Sequence, residues 1–245
     1  MCIRDSTQTN WNGVIGGINM QALPSLAIDN IQIYPDIKGK KADIKIYLDG
    51  QPNNSRLALN VIFDGKTILK KEVRVKPNAK NCVEETIEWE DSVKLWSEFT
   101  PNVYSLRAVL SSQDGNSEKE ISFGFRDFGV NGTHFAINGR PTFLRGTLEC
   151  CIFPMTGYPV MDNTYWAKIY STCKRYGLNH IRFHSWCPPK AAFHVADSLG
   201  MYLQVECGGW ASIGDGNKQD QWFKEEGDRI LKEYGNHPSF CMLAY

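Results

Sequence analysis

The sequence has no excess charge of either sign: 27 Lys and Arg stand against 27 Asp and Glu, for a formal net charge of zero. Without a basic field there is little to hold a phosphate backbone, so nucleic acid is not an expected partner. No stretch approaches the run of about 20 apolar residues that a helical membrane span needs, and residues 1–10 lack the apolar core of a signal peptide, so no membrane partner is expected. Cysteine is too sparse for a disulfide scaffold, with 8 in 245 residues and no Cys-x2-Cys spacing. Buried free thiols are the expectation, and no metal is expected. No Gly-x-Gly-x-x-Gly follows an apolar run, which removes the support for a dinucleotide site; no cofactor is expected.

What is present is a globular composition, 42% apolar and 12% aromatic, long enough for one large domain or two ordinary ones. Residues 1–6 show no periodicity and read as a scar. From residue 24 the chain reads as short strands separated by Pro, Gly, Asn and Asp. In Ala42–Leu48 the apolar side chains fall on every second position, and Asp49-Gly50 closes the run. Similar runs are Ile28–Tyr34, Leu57–Phe63, Thr67–Val75, Val83–Trp89, Val103–Leu110 and Glu120–Arg126. Seven such strands in about a hundred residues predict a β-sandwich.

After about residue 130 the rhythm changes to strands alternating with helices. Asn138-Gly139 between apolar runs predicts a hairpin. Asp162-Asn163 can cap a helix carrying Trp166, Ile169, Tyr170 and Cys173 on one stripe, with Gly177 at its end. Pro188-Pro189 opens a second helix that Gly200 closes, and a third spans about Gln219–Tyr234. The intervening apolar segments read as strands, and the last, Phe240–Tyr245, reaches the end of the sequence. Repeated strand-helix units predict parallel strands, in a barrel or in an open doubly wound sheet. Four strands and three helices amount to about half of an eightfold barrel, so the domain is expected to continue beyond Tyr245.

In a barrel, ligands meet the carboxyl ends of the strands. The first ends in Arg145-Gly146-Thr147-Leu148-Glu149, the second in Arg182-Phe183-His184-Ser185-Trp186, the third in Glu206-Cys207-Gly208-Gly209-Trp210. Arg182, in an apolar strand, needs a carboxylate partner, which makes it either a ligand-site residue or half of a structural ion pair. His184 shares its strand face, whereas His180 reads as a satisfied histidine at a strand start. Trp186 and Trp210 are core plugs or flat platforms for sugar rings. Glu149 and Glu206 suit a pair of glycosidase carboxylates about 5 Å apart, or they neutralise Arg145 and Arg182.

The order of motifs resembles glycoside hydrolase family 2, the β-galactosidase and β-glucuronidase family. Trp11-Asn12-Gly13-Val14-Ile15-Gly16-Gly17 is similar to the closing strand of its sugar-binding jelly roll, and Tyr34-Pro35-Asp36 to the start of its immunoglobulin-like domain. Leu95-Trp96 through Pro101-Asn102-Val103-Tyr104, and Phe123-Gly124-Phe125-Arg126, follow the family pattern. So do Ile137-Asn138-Gly139-Arg140-Pro141, Ile181-Arg182-Phe183-His184 and Asn236-His237-Pro238-Ser239. The resemblance implies a jelly-roll end at 1–23, an immunoglobulin-like β-sandwich at 24–128, and the first half of a (β/α)8 TIM barrel at 129–245. It implies retaining hydrolysis of O-glycosidic bonds in an oligo- or polysaccharide. Arg182 is then expected to hold the nucleophilic carboxylate and His184 to contact sugar, with Glu206, Glu149, Trp186 and Trp210 as further substrate-binding candidates. The sequence departs from the family at Val205-Glu206, where Asp-Glu is common, and at Glu149-Cys150-Cys151, where a His-containing loop is usual. The family's acid/base glutamate is expected just after Tyr245 and its nucleophile much farther on, so this chain alone is expected to be inactive. A noncatalytic carbohydrate-binding or adhesion protein is the alternative.

Overall fold

A computed structural model describes residues 13–52, 54–76, 81–90, 92–209, 214, 216 and 218–244. The chain divides into two compact units, and the division is not a single cut: one unit comprises Met20–Trp96 with Asn102–Asp127, the other Met1–Asn19, Ser97–Pro101 and Phe128–Tyr245.

The first unit is built from two antiparallel sheets. Strands β1 (Ala27–Asp36), β2 (Lys41–Asp49) and β5 (Cys82–Glu88) form one in the order β1-β2-β5. Strands β3 (Arg56–Phe63), β4 (Lys66–Arg74), β6 (Tyr104–Ser112) and β7 (Gly115–Phe123) form the other in the order β4-β3-β6-β7. Alternation decides which side chains go inward: Ala42, Ile44, Ile46 and Leu48 of β2 meet Leu57, Leu59 and Val61 of β3 and Leu106, Ala108 and Leu110 of β6 in one core. Trp89, Tyr104, Phe123 and Phe125 close one end with edge-to-face contacts, Trp89 to Phe125 at 4.9 Å among them. Asp64 and Gly65, both at positive φ, make the two-residue turn between β3 and β4. The edge strands β4 and β5 carry opposite charge, and Lys71 spans them, its Nζ bonded to Glu85 Oε2 at 2.7 Å and to the Thr86 carbonyl at 2.8 Å.

One strand begins earlier than its apolar pattern predicts. β7 starts at Gly115, five residues before the expected Glu120, because Ser112 pairs with Gly115 across a tight turn. Its polar start is an edge strand in which buried Ser117 stands where an apolar residue is usual, its hydroxyl accepting from Ile28 N at 3.0 Å.

In the second unit the expected Asn138-Gly139 hairpin is one turn of a three-stranded antiparallel sheet: β8 (Phe128–Asn131), β9 (His134–Ile137) and β10 (Arg140–Thr142). Four parallel strands follow, β11 (Gly146–Glu149), β12 (His180–Phe183), β13 (Tyr202–Glu206) and β14 (Phe240–Ala244), side by side in chain order. Helices α1 (Asn163–Arg175), α2 (Lys190–Leu199) and α3 (Lys218–Tyr234) connect β11 to β12, β12 to β13 and β13 to β14. Asp162 caps α1 by accepting from Tyr165 N at 2.9 Å, and Gly177, at φ +76°, follows the helix end. Ile181 and Phe183 on one face of β12 pack with Trp166 and Tyr170 of α1 and with Ala192, Phe193 and Ala196 of α2. On the opposite face Leu148 and Arg182 lie in register and are both exposed.

Candidate functional site

The carboxyl ends of β11 to β13 bring three charged side chains near one another and sort them by strand parity. Leu148, Arg182 and Gln204 share a row across the sheet. Glu206, two residues beyond Gln204, returns to their face. Arg182 Nε donates to Glu206 Oε1 at 2.5 Å, and Ser185 N donates to Glu206 Oε2 at 2.7 Å. The backbone of Ser185 is left-handed, φ +61°, which turns its N–H back toward the carboxylate as β12 ends. Both carboxylate oxygens are thereby held. The Glu206 side chain is 9% exposed, while that of Arg182 is 45% exposed. The arginine thus meets its buried partner through Nε and keeps part of the guanidinium open to solvent.

Glu149 falls in register with Phe183, on the opposite parity. Its Oε2 accepts from Cys151 N at 3.0 Å, with Cys151 at φ +59°. Burial pushes the Glu149 carboxyl above the usual value, against the backbone N–H groups of Cys151 and Ile152 and, more weakly, the Trp186 indole. Its charge in turn helps to raise the Tyr165 and Tyr170 hydroxyls on α1, whose main cause is burial. Glu149 and Glu206 therefore belong to different surroundings, and the sheet does not present them as a facing carboxylate pair. Glu206 neutralises Arg182, but Arg145 pairs with Glu98 at 3.3 Å, not with Glu149.

His184 donates its backbone N–H to the Glu149 carbonyl at 2.8 Å, and with Trp186 it lines a cavity of about 590 Å³. This cavity lies between the turns after β11 and β12 and helix α3. Trp186 packs edge-on against Phe183 at 5.5 Å and Phe153 at 5.9 Å, and its Nε1 is buried. His180 is buried, its Nδ1 bonded to the Tyr202 carbonyl at 3.0 Å, which is the satisfied histidine expected of it. Trp210 and Tyr245 lie outside the described residues.

Two contributors carry no sequence signal of their own. The Ser185 amide matters through a positive φ that a serine does not advertise. Cys150, read only as one of several buried thiols, is partly exposed and feels the charges of Glu149, Arg182 and Glu206 together, although burial is the main cause that raises its thiol. It also lines the cavity, so it links the ion pair to that space.

Comparison with known proteins places these observations. Residues 26–126 match the profile described as "Glycosyl hydrolases family 2". The chain is 24% identical to a β-galactosidase of Pseudoalteromonas haloplanktis, covering 97% of this chain and 25% of that protein. It is 26% identical to one of Thermoanaerobacterium thermosulfurigenes, covering 95% and 33%. Among solved structures, apo Bacteroides uniformis β-glucuronidase 3 shares the fold with a TM-score of 0.73 at 23% identity, over 89% of this chain and 27% of that one. The chain thus spans a quarter to a third of the length of these curated relatives. The ordered motifs, the matched profile and these relatives agree: residues 26–126 match glycoside hydrolase family 2, and the chain as a whole is similar to β-galactosidases and a β-glucuronidase.

Proposed function

We propose that this chain is part of a retaining β-glycosidase, to which it supplies one wall of the sugar site. On this reading residues 24–128 are an immunoglobulin-like β-sandwich, residues 129–245 the first half of a (β/α)8 barrel, and the segment before them the end of a jelly roll. The uninterrupted order β11-β12-β13-β14 supports the barrel, since a doubly wound sheet reverses direction at a switch point.

The observation that carries the function is the Arg182–Glu206 pair at the strand ends. Glu206, itself held by the Ser185 amide, fixes the guanidinium, part of which stays open to solvent at the strand ends, where a barrel of this kind receives its ligand. A fixed planar donor fork of this kind holds a carboxylate or sugar hydroxyls. The reaction is a two-step displacement: one glutamate attacks the anomeric carbon, and another protonates the leaving oxygen and then activates water. By the family resemblance both of those glutamates fall outside the 245 residues. The names of the relatives point to β-D-galactosides or β-D-glucuronides.

The test is to express the longest reading frame containing this sequence and assay it on 4-nitrophenyl β-D-galactoside and β-D-glucuronide. Hydrolysis by that product, with Arg182→Ala lowering kcat/KM by about 100-fold, is expected; the 245-residue chain alone is expected to be inactive. Undiminished turnover by Arg182→Ala overturns the site. Sugar binding without any hydrolysis by the longer product would instead favour a noncatalytic carbohydrate-binding protein.

A further inference from the structure

At Glu149-Cys150-Cys151 the sequence departs from the family it resembles, and the sugar-site reading leaves both thiols without a role. Adjacent side chains at a strand end normally point to opposite faces. Here the alternation is broken: Cys151 has a left-handed backbone, φ +59°, and both cysteines line the same cavity of about 590 Å³. Both are free thiols, Cys150 partly exposed and Cys151 buried. The turn that brings Cys151 N to Glu149 Oε2 at 3.0 Å thus also sets two neighbouring cysteines on one space. Cys187 lines the cavity as well, but its Sγ is engaged with the Pro188 carbonyl at 3.6 Å.

The surroundings select the reagent that such a pair suits. Burial is the main cause that raises both thiols, Cys151 up to about 12, and the charge of Glu149 raises each further. Disulfide exchange, whose nucleophile is the thiolate, is therefore held back. Zinc needs a shell of four ligands, and among the described residues no group of three His, Cys, Asp or Glu is placed to hold a metal ion. Trivalent arsenic requires neither a thiolate nor a third ligand. It takes two neutral thiols and leaves a neutral product, which suits a wall already carrying Glu226 and Glu233 against one arginine, Arg229.

We infer that Cys150 and Cys151 form a chelating site for trivalent arsenicals. With an arsenoxide, two S–H bonds and the As=O bond break and two S–As bonds form. The oxygen leaves as water with both protons, and arsenic stays trivalent throughout. The site does not depend on what Arg182 receives. Because His184 and Ser185 line the same cavity, the adduct places a bulky group beside the end of β12.

The experiment is intact-mass spectrometry of the 245-residue chain titrated with phenylarsine oxide. One adduct is expected, with the mass of the reagent less one water, surviving excess 2-mercaptoethanol and removed by 2,3-dimercaptopropanol. Alkylating the remaining thiols and digesting with trypsin locates it, because the fragment Gly146–Lys168 contains Cys150 and Cys151 and no other cysteine. Cys150→Ser, at the partly exposed position, is expected to weaken binding about 100-fold by leaving a single sulfur, whereas Cys187→Ser leaves it unchanged. The mapping needs no variant, so it decides the question even if a substitution disturbs the fold. An adduct mapped to another fragment, full affinity in Cys150→Ser, or removal of the adduct by 2-mercaptoethanol overturns the site. So does the absence of any adduct on the folded chain when one forms in urea.

Discussion

Asp197 on α2 and His237, just before β14, form a buried pair, His237 Nδ1 lying 2.5 Å from Asp197 Oδ2. The other carboxylate oxygen accepts from Ser239 N at 3.0 Å, and the imidazole is stacked on Phe193 at 5.3 Å. One side chain thus fixes the loop that aims β14 alongside β13. Asp197→Ala leaves a buried imidazole and a buried amide without their acceptor. A loss of about 3 kcal/mol in urea unfolding is expected, with a smaller loss for Asp197→Asn, which still offers an oxygen to Ser239. Equal stability of Asp197→Ala and the parent would show that the pair does not hold this loop.

Glu149 provides a test in pH. Its folded-state carboxyl is raised above the usual 4.5, chiefly by burial. An acid shifted this way costs nothing while it is protonated in both states, and the cost appears as pH rises from the unfolded pKa through the folded one. Glu149→Gln keeps an oxygen for the Cys151 amide and carries no charge. It is expected to melt above the parent at pH 7 and together with it at about pH 4, in thermal scans across that range. A lower Tm for Glu149→Gln at pH 7 contradicts the burial argument.

Gly200 ends α2 at φ +71°, and a Cβ there would sit 2.7 Å from Glu98 Cα and 2.9 Å from the Ser97 carbonyl. Neither obstacle is the movable end of a side chain. Gly200→Ala therefore combines left-handed strain with a backbone collision, for an expected loss of roughly 2–4 kcal/mol by chemical denaturation. Gly177→Ala, at φ +76° with open space around it, carries the strain alone and should lose about 1 kcal/mol. Equal losses at the two glycines would remove the collision from the account.

Arg182 and Glu206 are unequal partners. Removing the arginine strands a carboxylate that is 9% exposed, whereas removing the glutamate releases a guanidinium that is 45% exposed. Arg182→Ala is expected to destabilise more than Glu206→Ala, by about 1 kcal/mol, because only the first leaves a buried charge. Urea midpoints of the two variants decide it, and the reverse order would mean that solvent reaches Glu206.

Much of this architecture is legible in the sequence because alternation and helical spacing report burial directly. Ala42–Leu48, the Asn138-Gly139 turn and the helix bounded by Asp162 and Gly177 all appear where residue types predict them. β8 and the start of β7 do not, since short or edge strands that bury little have no apolar signature. At the site, the need of Arg182 for a carboxylate is readable, and Glu206 meets it. The sorting of Glu149 away from Glu206 is set by strand parity and register. The turns at Cys151 and Ser185 are left-handed at residues that give no warning of it.

The contacts of Glu98 bear on how this chain can be dissected. Although it lies in the stretch that encodes the antiparallel sheets, Glu98 belongs to the unit of parallel strands. Its carboxylate receives Asn179 Nδ2 at 3.0 Å, its carbonyl receives Lys174 Nζ at 3.0 Å, and its amide donates to the Tyr202 hydroxyl at 3.2 Å. A polypeptide begun at Phe128 would keep its strands and helices yet lack a five-residue piece that Lys174 of α1, Tyr202 of β13 and Asn179 of the loop before β12 all bond. The α/β unit thus borrows a part made earlier in the chain, and neither unit can be excised along a single boundary.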